Sequence, residues 1–257
     1  MILIDTHTHL YLNAFDEDRE QMVERAITSG IKYMFLPNID SSSVKGMHGL
    51  CDRFPENCFP MMGLHPTSVK ENYKQELDKI IKLLEENTYY GIGETGIDLY
   101  WDKTYYREQL ASFNFQIDLA IEYNLPLVIH ARESFTEIFS QLENRDISGL
   151  QGVFHCFTGN REEAERAIQL GFMLGIGGVL TYKRSGLDQV VEQIGIEHLI
   201  LETDAPFLPP VPHRGKRNES AYLIHVADKL AEVLKMPLEE VSRITTQNAG
   251  KLFNFNI

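Results

Sequence analysis

The feature that most constrains the fold is a series of eight short apolar runs, spaced so that one helix fits between each run and the next. The runs are apolar throughout and do not alternate with polar residues, which is typical of parallel strands covered by helices on both faces. They span residues 2–5, 33–37, 59–64, 90–94, 127–130, 153–157, 172–176 and 198–202. Eight strand–helix steps predict an α/β protein of the (β/α)8 TIM-barrel type.

The segments between the runs have helical patterns. The clearest covers about residues 104–123, where apolar residues recur at steps of four, three, four and three, and these are Tyr106, Leu110, Phe113, Ile117 and Ala120. This spacing predicts a helix with one face in the core.

Other helices carry start signals. Ser134 with Glu137 and Asn160 with Glu163 have the spacing of a capping box, and Pro237 suits the first turn of a helix over residues 238–252. The Pro-rich stretch 206–212 and the following residues 213–218 interrupt the last strand–helix step, and they predict a functional loop.

Length and composition indicate one globular domain over residues 1–257. An α/β barrel of this length folds as one unit, and no internal repeat or composition break marks a second domain. The early apolar run of residues 1–4 is too short for the core of a signal peptide, and no later stretch approaches the roughly 18–20 apolar residues of a membrane span, so a cytoplasmic location without membrane contact is expected. Three cysteines without paired spacing predict reduced thiols.

The net charge of −13 argues against general nucleic-acid affinity, so any polyanion contact must be local.

Barrel active sites lie at the carboxyl ends of the strands, and polar residues cluster at those positions in this sequence. For any one of them, a hydrogen-bonded side chain near a strand end is a sufficient explanation. A joint cluster of buried imidazoles and carboxylates needs compensating charge, which metal ions supply. The cluster consists of His7, His9, His65, Glu94, His130, His155 and Asp204.

His7 and His9 alternate along an extended segment, so they point the same way and can bind one cation together. The same pair is also compatible with a strand end that carries two solvated histidines. The other histidines differ: His48, His198 and His225 are read as structural, and His213, in the Pro-rich loop, stays open.

The polar residues belong to seven motifs, which are Asp-Thr-His-Thr-His (5–9), Gly-Leu-His-Pro (63–66), Gly-Glu-Thr-Gly-Ile-Asp (93–98), Leu-Pro-Leu-Val-Ile-His-Ala-Arg (125–132), His-Cys-Phe-Thr-Gly (155–159), Glu-Thr-Asp-Ala-Pro (202–206) and Arg-Gly-Lys-Arg-Asn-Glu (214–219). In these motifs and their order the chain resembles the TatD family of metal-dependent deoxyribonucleases, within the metallo-dependent hydrolase barrels. One departure is Ser220, where the family usually has Pro. The intact His7 and His9 pair resembles the branch with a full first metal site.

The resemblance implies a centre of two divalent metal ions. One ion would be held by His7, His9, Glu94 and Asp204, and the other by Glu94, His130 and His155. A bridging carboxylate agrees with the physical requirement, because its two oxygens can span ions about 3.5–4 Å apart. Mixed imidazole and carboxylate ligands suit Zn²⁺, Mn²⁺ or, less well, Mg²⁺.

The resemblance also implies hydrolysis of DNA, exonucleolytic on single strands or frayed ends, with no obligate protein partner evident. The expected step is attack of a metal-bound hydroxide on phosphorus, with Asp204 as ligand and proton acceptor beside the bridging Glu94. His65 would hydrogen-bond a phosphate oxygen or the leaving group. Cations that can bind phosphate are Arg132, Arg214 and Lys216, although such a loop can also be solvated surface.

Two other classes of function remain open. A metallo-amidohydrolase or lactonase on the same barrel would resemble this chain in His-x-His, but many such enzymes bridge their metals with a carbamylated Lys where this chain has Glu94. A non-catalytic protein that keeps a closed metal site for stability is the third class. Tyr100 and Trp101 can stack on a base, worth about 1–3 kcal/mol, or simply pack a loop.

Overall fold

Eight parallel strands form a closed barrel in the computed structural model, which describes residues 1–255. β1 to β3 form one hydrogen-bonded group and β4 to β8 the other. Thr6 N donates to Leu201 O at 3.0 Å across the β1–β8 seam, and Gly93 N donates to Met62 O at 2.9 Å across the β3–β4 seam. The barrel prediction is therefore confirmed. The strands are β1 (Leu3–Asp5), β2 (Ile31–Pro37), β3 (Cys58–Met61), β4 (Ile92–Asp98), β5 (Leu127–Arg132), β6 (Gly152–Phe154), β7 (Phe172–Ile176) and β8 (Leu199–Leu201). Residues 256 and 257 of the predicted domain lie outside the described residues.

Helices follow the strands and cover the outside of the barrel. Within residues 1–255 they are α1 (Arg19–Thr28), α2 (Val44–Arg53), α3 (Tyr73–Glu86), α4 (Tyr106–Glu122), α5 (Phe135–Glu143), α6 (Arg161–Gln169), α7 (Leu187–Ile194), α8 (Leu223–Leu234) and α9 (Leu238–Leu252). In α4 the predicted face packs on the core, with Phe113, Ile117 and Ala120 buried. None of these helices is long and apolar enough to cross a membrane.

The predicted helix starts differ in outcome. Asn160 and Glu163 form the expected capping box at the start of α6. Ser134 marks the start of α5 as predicted and is its N-cap residue, but the capping box does not form: its hydroxyl donates to Ile97 O at 2.6 Å and accepts from Arg132 N, which joins the ends of β4 and β5. Pro237 is the N-cap of α9, one position before the first helical residue.

A small apolar cluster fills the inside of the barrel. Its members come from strands all around the barrel, which can meet only in the interior, and the end of α9 joins them. Phe253, just after α9, stacks on Phe35 of β2 with ring centroids 4.3 Å apart. The amino-terminal end of the barrel is thus closed by apolar packing, which leaves the other end for polar groups. The cluster contains Ile4, Tyr33, Phe35, Phe59, Met61, Val128, Val153, Ile200, Ala249, Leu252 and Phe253.

β4 is longer than predicted, and this changes where Glu94 lies. The expectation that the strand ends at Glu94 is wrong, because β4 continues through Gly96 to Asp98. Gly93 has φ 149°, and a Cβ there would lie 2.6 Å from Val128 O on β5, so only glycine allows this close approach. The glycines extend the strand where sequence reasoning treats them as its end. β6, by contrast, stops at Phe154, so His155 follows the strand.

Candidate metal centre

The structure brings the seven polar side chains predicted for the mouth of the barrel into one cluster. They come from the ends of β1, β5, β6 and β8 or just after them, from the N-cap of the short 3₁₀ turn in the loop after β3, and from within β4. Three sets of ligand atoms have members within 4.8 Å of one another: His7, His155 and Asp204; His7, His9 and Glu94; and His65, Glu94 and His130. These sets overlap, so the cluster is one continuous site.

One oxygen of Glu94 faces the histidine pair that follows β1. Glu94 Oε2 lies 3.0 Å from His7 Nε2 and 3.3 Å from His9 Nε2. Asp204 Oδ1 completes this side, at 3.5 Å from His9 Nε2 and 3.9 Å from His7 Nε2. Four ligand atoms therefore surround one small space.

The other oxygen of Glu94 faces a different set of imidazoles. Glu94 Oε1 lies 2.7 Å from His130 Nδ1, 2.8 Å from His155 Nε2 and 3.1 Å from His65 Nε2. A single buried carboxylate thus lies between two groups of nitrogen atoms, one group for each oxygen.

The cluster holds Glu94 in its anionic form. Burial by itself raises the pKa of this carboxyl, but the imidazoles of His155, His65 and His7 and the hydrogen bond with His130 outweigh it and hold the pKa well below its usual range. Asp204 follows the same pattern: burial raises its pKa, while the hydrogen bond with His9 and the nearby imidazoles lower it. Two buried anions are therefore available as cation ligands.

The tautomer of His9 follows from its neighbour Tyr11. The Tyr11 hydroxyl donates its only proton to Pro37 O at 2.6 Å, so at 3.0 Å from His9 Nδ1 it can only accept. His9 Nδ1 must then carry a proton, so Nε2 is the nitrogen that faces Glu94 and Asp204, and a bound cation would take the place of its proton.

His130 is oriented by Asp98 in the same way. Asp98 Oδ2 lies 3.0 Å from His130 Nε2, and the backbone N–H groups of Tyr100 and Trp101 donate to Asp98 Oδ1. Burial raises the pKa of Asp98, but the hydrogen bond with His130 and these backbone donors outweigh it, so Asp98 is an anion that accepts from Nε2–H. His130 Nδ1 faces Glu94 Oε1 at 2.7 Å, and a cation bound there would take the place of the proton that Nδ1 shares with the carboxylate. A carboxylate that orients a ligand histidine is a common partner of metal sites.

His65 presents a proton to the cluster and not a lone pair. Thr67 N donates to His65 Nδ1 at 3.1 Å, so Nδ1 accepts. Burial lowers the pKa of His65, which favours the neutral imidazole with its single proton on Nε2. His65 Nε2–H therefore donates toward Glu94 Oε1, and this separates His65 from the neighbouring histidines.

His155 lies beside a second buried glutamate, Glu202. The His155 Nδ1 and Glu202 Oε1 atoms are 3.4 Å apart, and Cys156 N donates to the same oxygen. Gly175 leaves room for Glu202, because a Cβ there would collide with Glu202 Oε2. Among residues 1–255, the buried side-chain atoms without an aligned hydrogen bond include His7 Nδ1, His155 Nδ1 and Glu202 Oε2. Three of these orphaned atoms thus belong to the cluster and to Glu202 behind it, and both histidine atoms are on the edge of the ring away from Glu94.

Asp5 joins the first strand to the loop after the last one. Its carboxyl accepts hydrogen bonds from Thr203 N at 2.9 Å, from Thr203 Oγ1 at 2.6 Å and from Ser220 Oγ at 2.6 Å. Burial raises the pKa of Asp5 to about 7. Ser220, the residue that departs from the family pattern, is therefore a hydrogen-bond donor that holds the two ends of the chain together below the site.

An open cavity of about 460 Å³ leads from solvent to the cluster. Its walls include Trp101 and Arg132 on one side and Phe207 and Leu208 on the other. Asp204 is 14% exposed and faces this space. Arg214 and Lys216 are exposed on the loop after β8 and do not line the cavity.

The remaining histidines lie elsewhere. His48 contacts Tyr89 Oη at 2.8 Å on the outside of the barrel, and His198 precedes β8 at the closed end. His225 on α8 lies 3.1 Å from His213, whose ring stacks on Tyr222 away from the cavity. These positions agree with a structural role for His48, His198 and His225. They also place His213 outside the mouth of the cavity.

Sequence reasoning did not single out three residues that orient the cluster: Tyr11, Asp98 and Glu202. A signal existed for Asp98, because it lies four residues after Glu94 on one strand, and a period of two puts both on the same face. Glu202 was quoted in a motif, but no role was given to it. Tyr11 had no sequence signal, since its contact depends on the path of the chain after β1.

Comparison with known proteins gives consistent matches over the whole chain. A family model described as "TatD related DNase" matches residues 4–254. The Bacillus subtilis (strain 168) protein named "Uncharacterized metal-dependent hydrolase YabD" is 35% identical over 256 residues, which cover 99% of this chain and 100% of that protein. The Pantoea vagans (strain C9-1) "3'-5' ssDNA/RNA exonuclease TatD" is 30% identical over 98% of this chain and 99% of that protein. The crystal structure of the TatD homologue YjjV from Escherichia coli K12 superposes with a TM-score of 0.93 at 28% identity, covering 99% of this chain and 98% of the other.

Proposed function

Because the chain belongs to the TatD-related DNase family of metal-dependent hydrolases, we propose that it removes nucleotides from single-stranded DNA or frayed duplex ends at a centre of two divalent metal ions. The observation that carries the proposal is the position of Glu94, whose two oxygens each face a separate group of imidazole nitrogens. A carboxylate that binds one ion with each oxygen can hold two ions about 3.5–4 Å apart, the spacing of two-metal phosphodiester hydrolysis. The name of the Pantoea vagans relative supports a single-stranded nucleic acid as substrate.

The residues of the cluster fit two cations. Separations of 2.7–3.5 Å between most of the facing nitrogen and oxygen atoms are those of ligands that share an ion about 2.0–2.2 Å away. Imidazole with carboxylate suits Zn²⁺ or Mn²⁺, and Mg²⁺ less well. The proposed ligands are His7, His9, Glu94 and Asp204 for one ion and Glu94, His130 and His155 for the other.

When bound, the two ions would supply an activated water and charge stabilisation for phosphodiester hydrolysis. Asp204 is anionic and faces the cavity, so it is placed to accept the proton of the attacking water as well as to bind a cation. His65 Nε2–H is a donor at the same cavity, and it would hydrogen-bond a phosphate oxygen or the leaving oxygen. In this proposal Asp204 accepts a proton and His65 donates a hydrogen bond, so the two roles belong to different residues.

The basic residues form two groups, one inside the cavity and one outside it. Arg132 lines the cavity, and its planar guanidinium suits the phosphate next to the cut. Arg214 and Lys216 are exposed outside the cavity, so they would contact phosphates further along the strand. This division explains how a chain with a net charge of −13 can still bind a polyanion locally.

The proposal is tested by replacing Glu94 with alanine. Glu94→Ala removes the shared ligand, so Mn²⁺-, Mg²⁺- or Zn²⁺-dependent cleavage of end-labelled single-stranded DNA should fall to the level seen with EDTA. Glu122→Ala is the matched control, because Glu122 is an exposed glutamate at the end of α4. Circular dichroism should show the barrel folded in both variants.

The same assay separates the alternatives. End-labelled single-stranded DNA, blunt duplex, RNA and a panel of amides and lactones are each incubated with several divalent ions and with EDTA. Unchanged DNA cleavage by Glu94→Ala would contradict the two-metal assignment. Hydrolysis of the amides or lactones without cleavage of nucleic acid would identify an amidohydrolase or lactonase, and no hydrolysis of any substrate would indicate a non-catalytic metal site.

A further inference from the structure

Exposed aromatic side chains are confined to the mouth of the metal cavity. Within residues 1–255, the large hydrophobic side chains that are exposed include three aromatic ones, Tyr100, Trp101 and Phe207. Trp101 is 68% exposed and Phe207 is 50% exposed, and both line the cavity that contains the metal-ligand cluster. Packing of a loop therefore does not account for Trp101. Large exposed apolar side chains at the mouth of a polar cavity indicate a binding surface.

The two cavity-lining aromatics lie on opposite sides of the mouth. Trp101 follows β4 and Phe207 follows β8, and strands four positions apart in an eight-stranded barrel face each other across the axis. Phe207 lies beside His9, with ring centroids 6.2 Å apart, and Trp101 N donates to Asp98, the partner of His130. The Phe207 ring is thus beside the ligand group of His9, and the Trp101 backbone is beside the ligand group of His130.

A cation accompanies the rings after β4. The Arg132 guanidinium lies 4.2 Å from the centroid of the Tyr100 ring and 5.5 Å from that of Trp101. The ion pairs formed by residues 1–255 do not include Arg132, so its charge is available. An arginine stacked on aromatic faces keeps its in-plane N–H groups free for a phosphate. A planar apolar ligand joined to phosphate matches this surface in shape and charge.

We propose that Trp101 and Phe207 are stacking platforms for the unpaired bases on the two sides of the scissile phosphate, an inference that rests on the proposed nuclease function. Every base offers a π face, so the contact tolerates any sequence. A base inside a duplex already has neighbours on both faces and is not free to stack on protein. The platforms therefore make the enzyme selective for single strands and frayed ends.

The protein carries its own probe for this contact, because Trp101 is the sole tryptophan of the chain. Its fluorescence is measured with the metal-loaded protein and a single-stranded oligonucleotide that has phosphorothioate linkages to suppress cleavage. We expect quenching by the single strand, much weaker quenching by a blunt duplex, and none by an abasic strand of the same length and charge. Equal quenching by the abasic strand would overturn the proposal, since that strand has phosphates but no bases.

Substitutions of Trp101 and Phe207 test the same contact through the KM for single-stranded DNA. Trp101→Leu and Phe207→Leu should each raise KM on single-stranded DNA by roughly tenfold or more. Trp101→Phe should restore most of the loss, because it keeps a π face. The matched control is Ile121→Ala, which changes an exposed apolar residue of α4 away from the mouth, and it should leave KM unchanged.

Abasic substrates separate a stacking role from a general effect on the fold. On a strand whose terminal residues lack bases, the leucine variants and the wild type should have the same KM. A loss of equal size on normal and abasic strands would contradict base stacking. If the wild type cleaves no nucleic acid, the proposed function fails; if it cleaves normal and abasic ends equally and the leucine variants match it, only the stacking inference fails.

Discussion

His65 and His130 contact the same oxygen of Glu94, yet they present different atoms to it. Thr67 N donates to His65 Nδ1, which leaves a proton on Nε2 toward the cluster and no nitrogen free to bind a cation there, whereas Asp98 accepts from His130 Nε2, so Nδ1 can exchange its proton for a cation. Side chains of one type at nearly the same distance from one carboxylate thus have different chemistry. The second partner of each ring decides which histidine can bind a metal ion.

This difference predicts that alanine substitutions of His65 and His130 will have different effects on metal content. His65→Ala should leave two metal ions per chain and lower kcat by roughly 10²–10⁴-fold, the usual range for a lost proton donor. His130→Ala should lose one ion, because it removes a ligand. Metal analysis of the dialysed proteins with steady-state kinetics on single-stranded DNA checks both. Loss of an ion from His65→Ala would show that His65 is a ligand and would contradict its assignment as a donor.

At the scale of elements, the loops after β7 and β8 form one unit beside the mouth. Tyr182, after β7, donates from its hydroxyl to Pro209 O at 2.9 Å, and Val211 N donates to Thr181 Oγ1 at 2.9 Å. The Arg214 guanidinium lies 4.1 Å from the centroid of the Tyr182 ring. Further along, Arg217 pairs with Asp18 at the start of α1. The loop that carries Arg214 is therefore held at both ends.

A fixed position for Arg214 outside the cavity predicts a substrate-length effect. Arg214→Ala should raise KM on oligonucleotides, spare a small phosphodiester, and reduce the slope of log(kcat/KM) against log[salt] by roughly 1, since one phosphate contact is lost. Arg243→Ala on α9, at the closed end of the barrel, is the matched control. An equal loss on both kinds of substrate would instead indicate a defect in chemistry or folding.

The elements also show what the sequence can and cannot predict. The positions of all eight strands follow from continuous apolar runs and the core face of α4 follows from apolar periodicity, and both patterns depend on burial. The end of β4 does not follow, because Gly93 and Gly96 resemble strand breakers and are required by the close approach of β5. Ser134 has capping spacing, but the nearby Ile97 carbonyl competes for its hydroxyl. Contacts between distant segments therefore determine both the end of β4 and the partner of the Ser134 hydroxyl.

At the scale of the whole molecule, the barrel brings residues from both ends of the chain to one centre. The apolar cluster and the end of α9 close one end, and Asp5 joins Thr203 and Ser220 beneath the site. The sequence predicts which side chains meet because the carboxyl ends of the strands share one rim. It does not predict the tautomers of the histidines or the path that puts Tyr11 and Glu202 behind them, because these depend on contacts between distant segments.

The bridging position proposed for Glu94 between two metal ions can be tested by anomalous diffraction from crystals of the Mn²⁺-loaded protein. We predict two anomalous peaks about 3.5–4 Å apart, one on each side of the Glu94 carboxylate. The first should lie next to His7, His9 and Asp204, and the second next to His130 and His155. A single peak, or two peaks that do not share Glu94, would contradict the account.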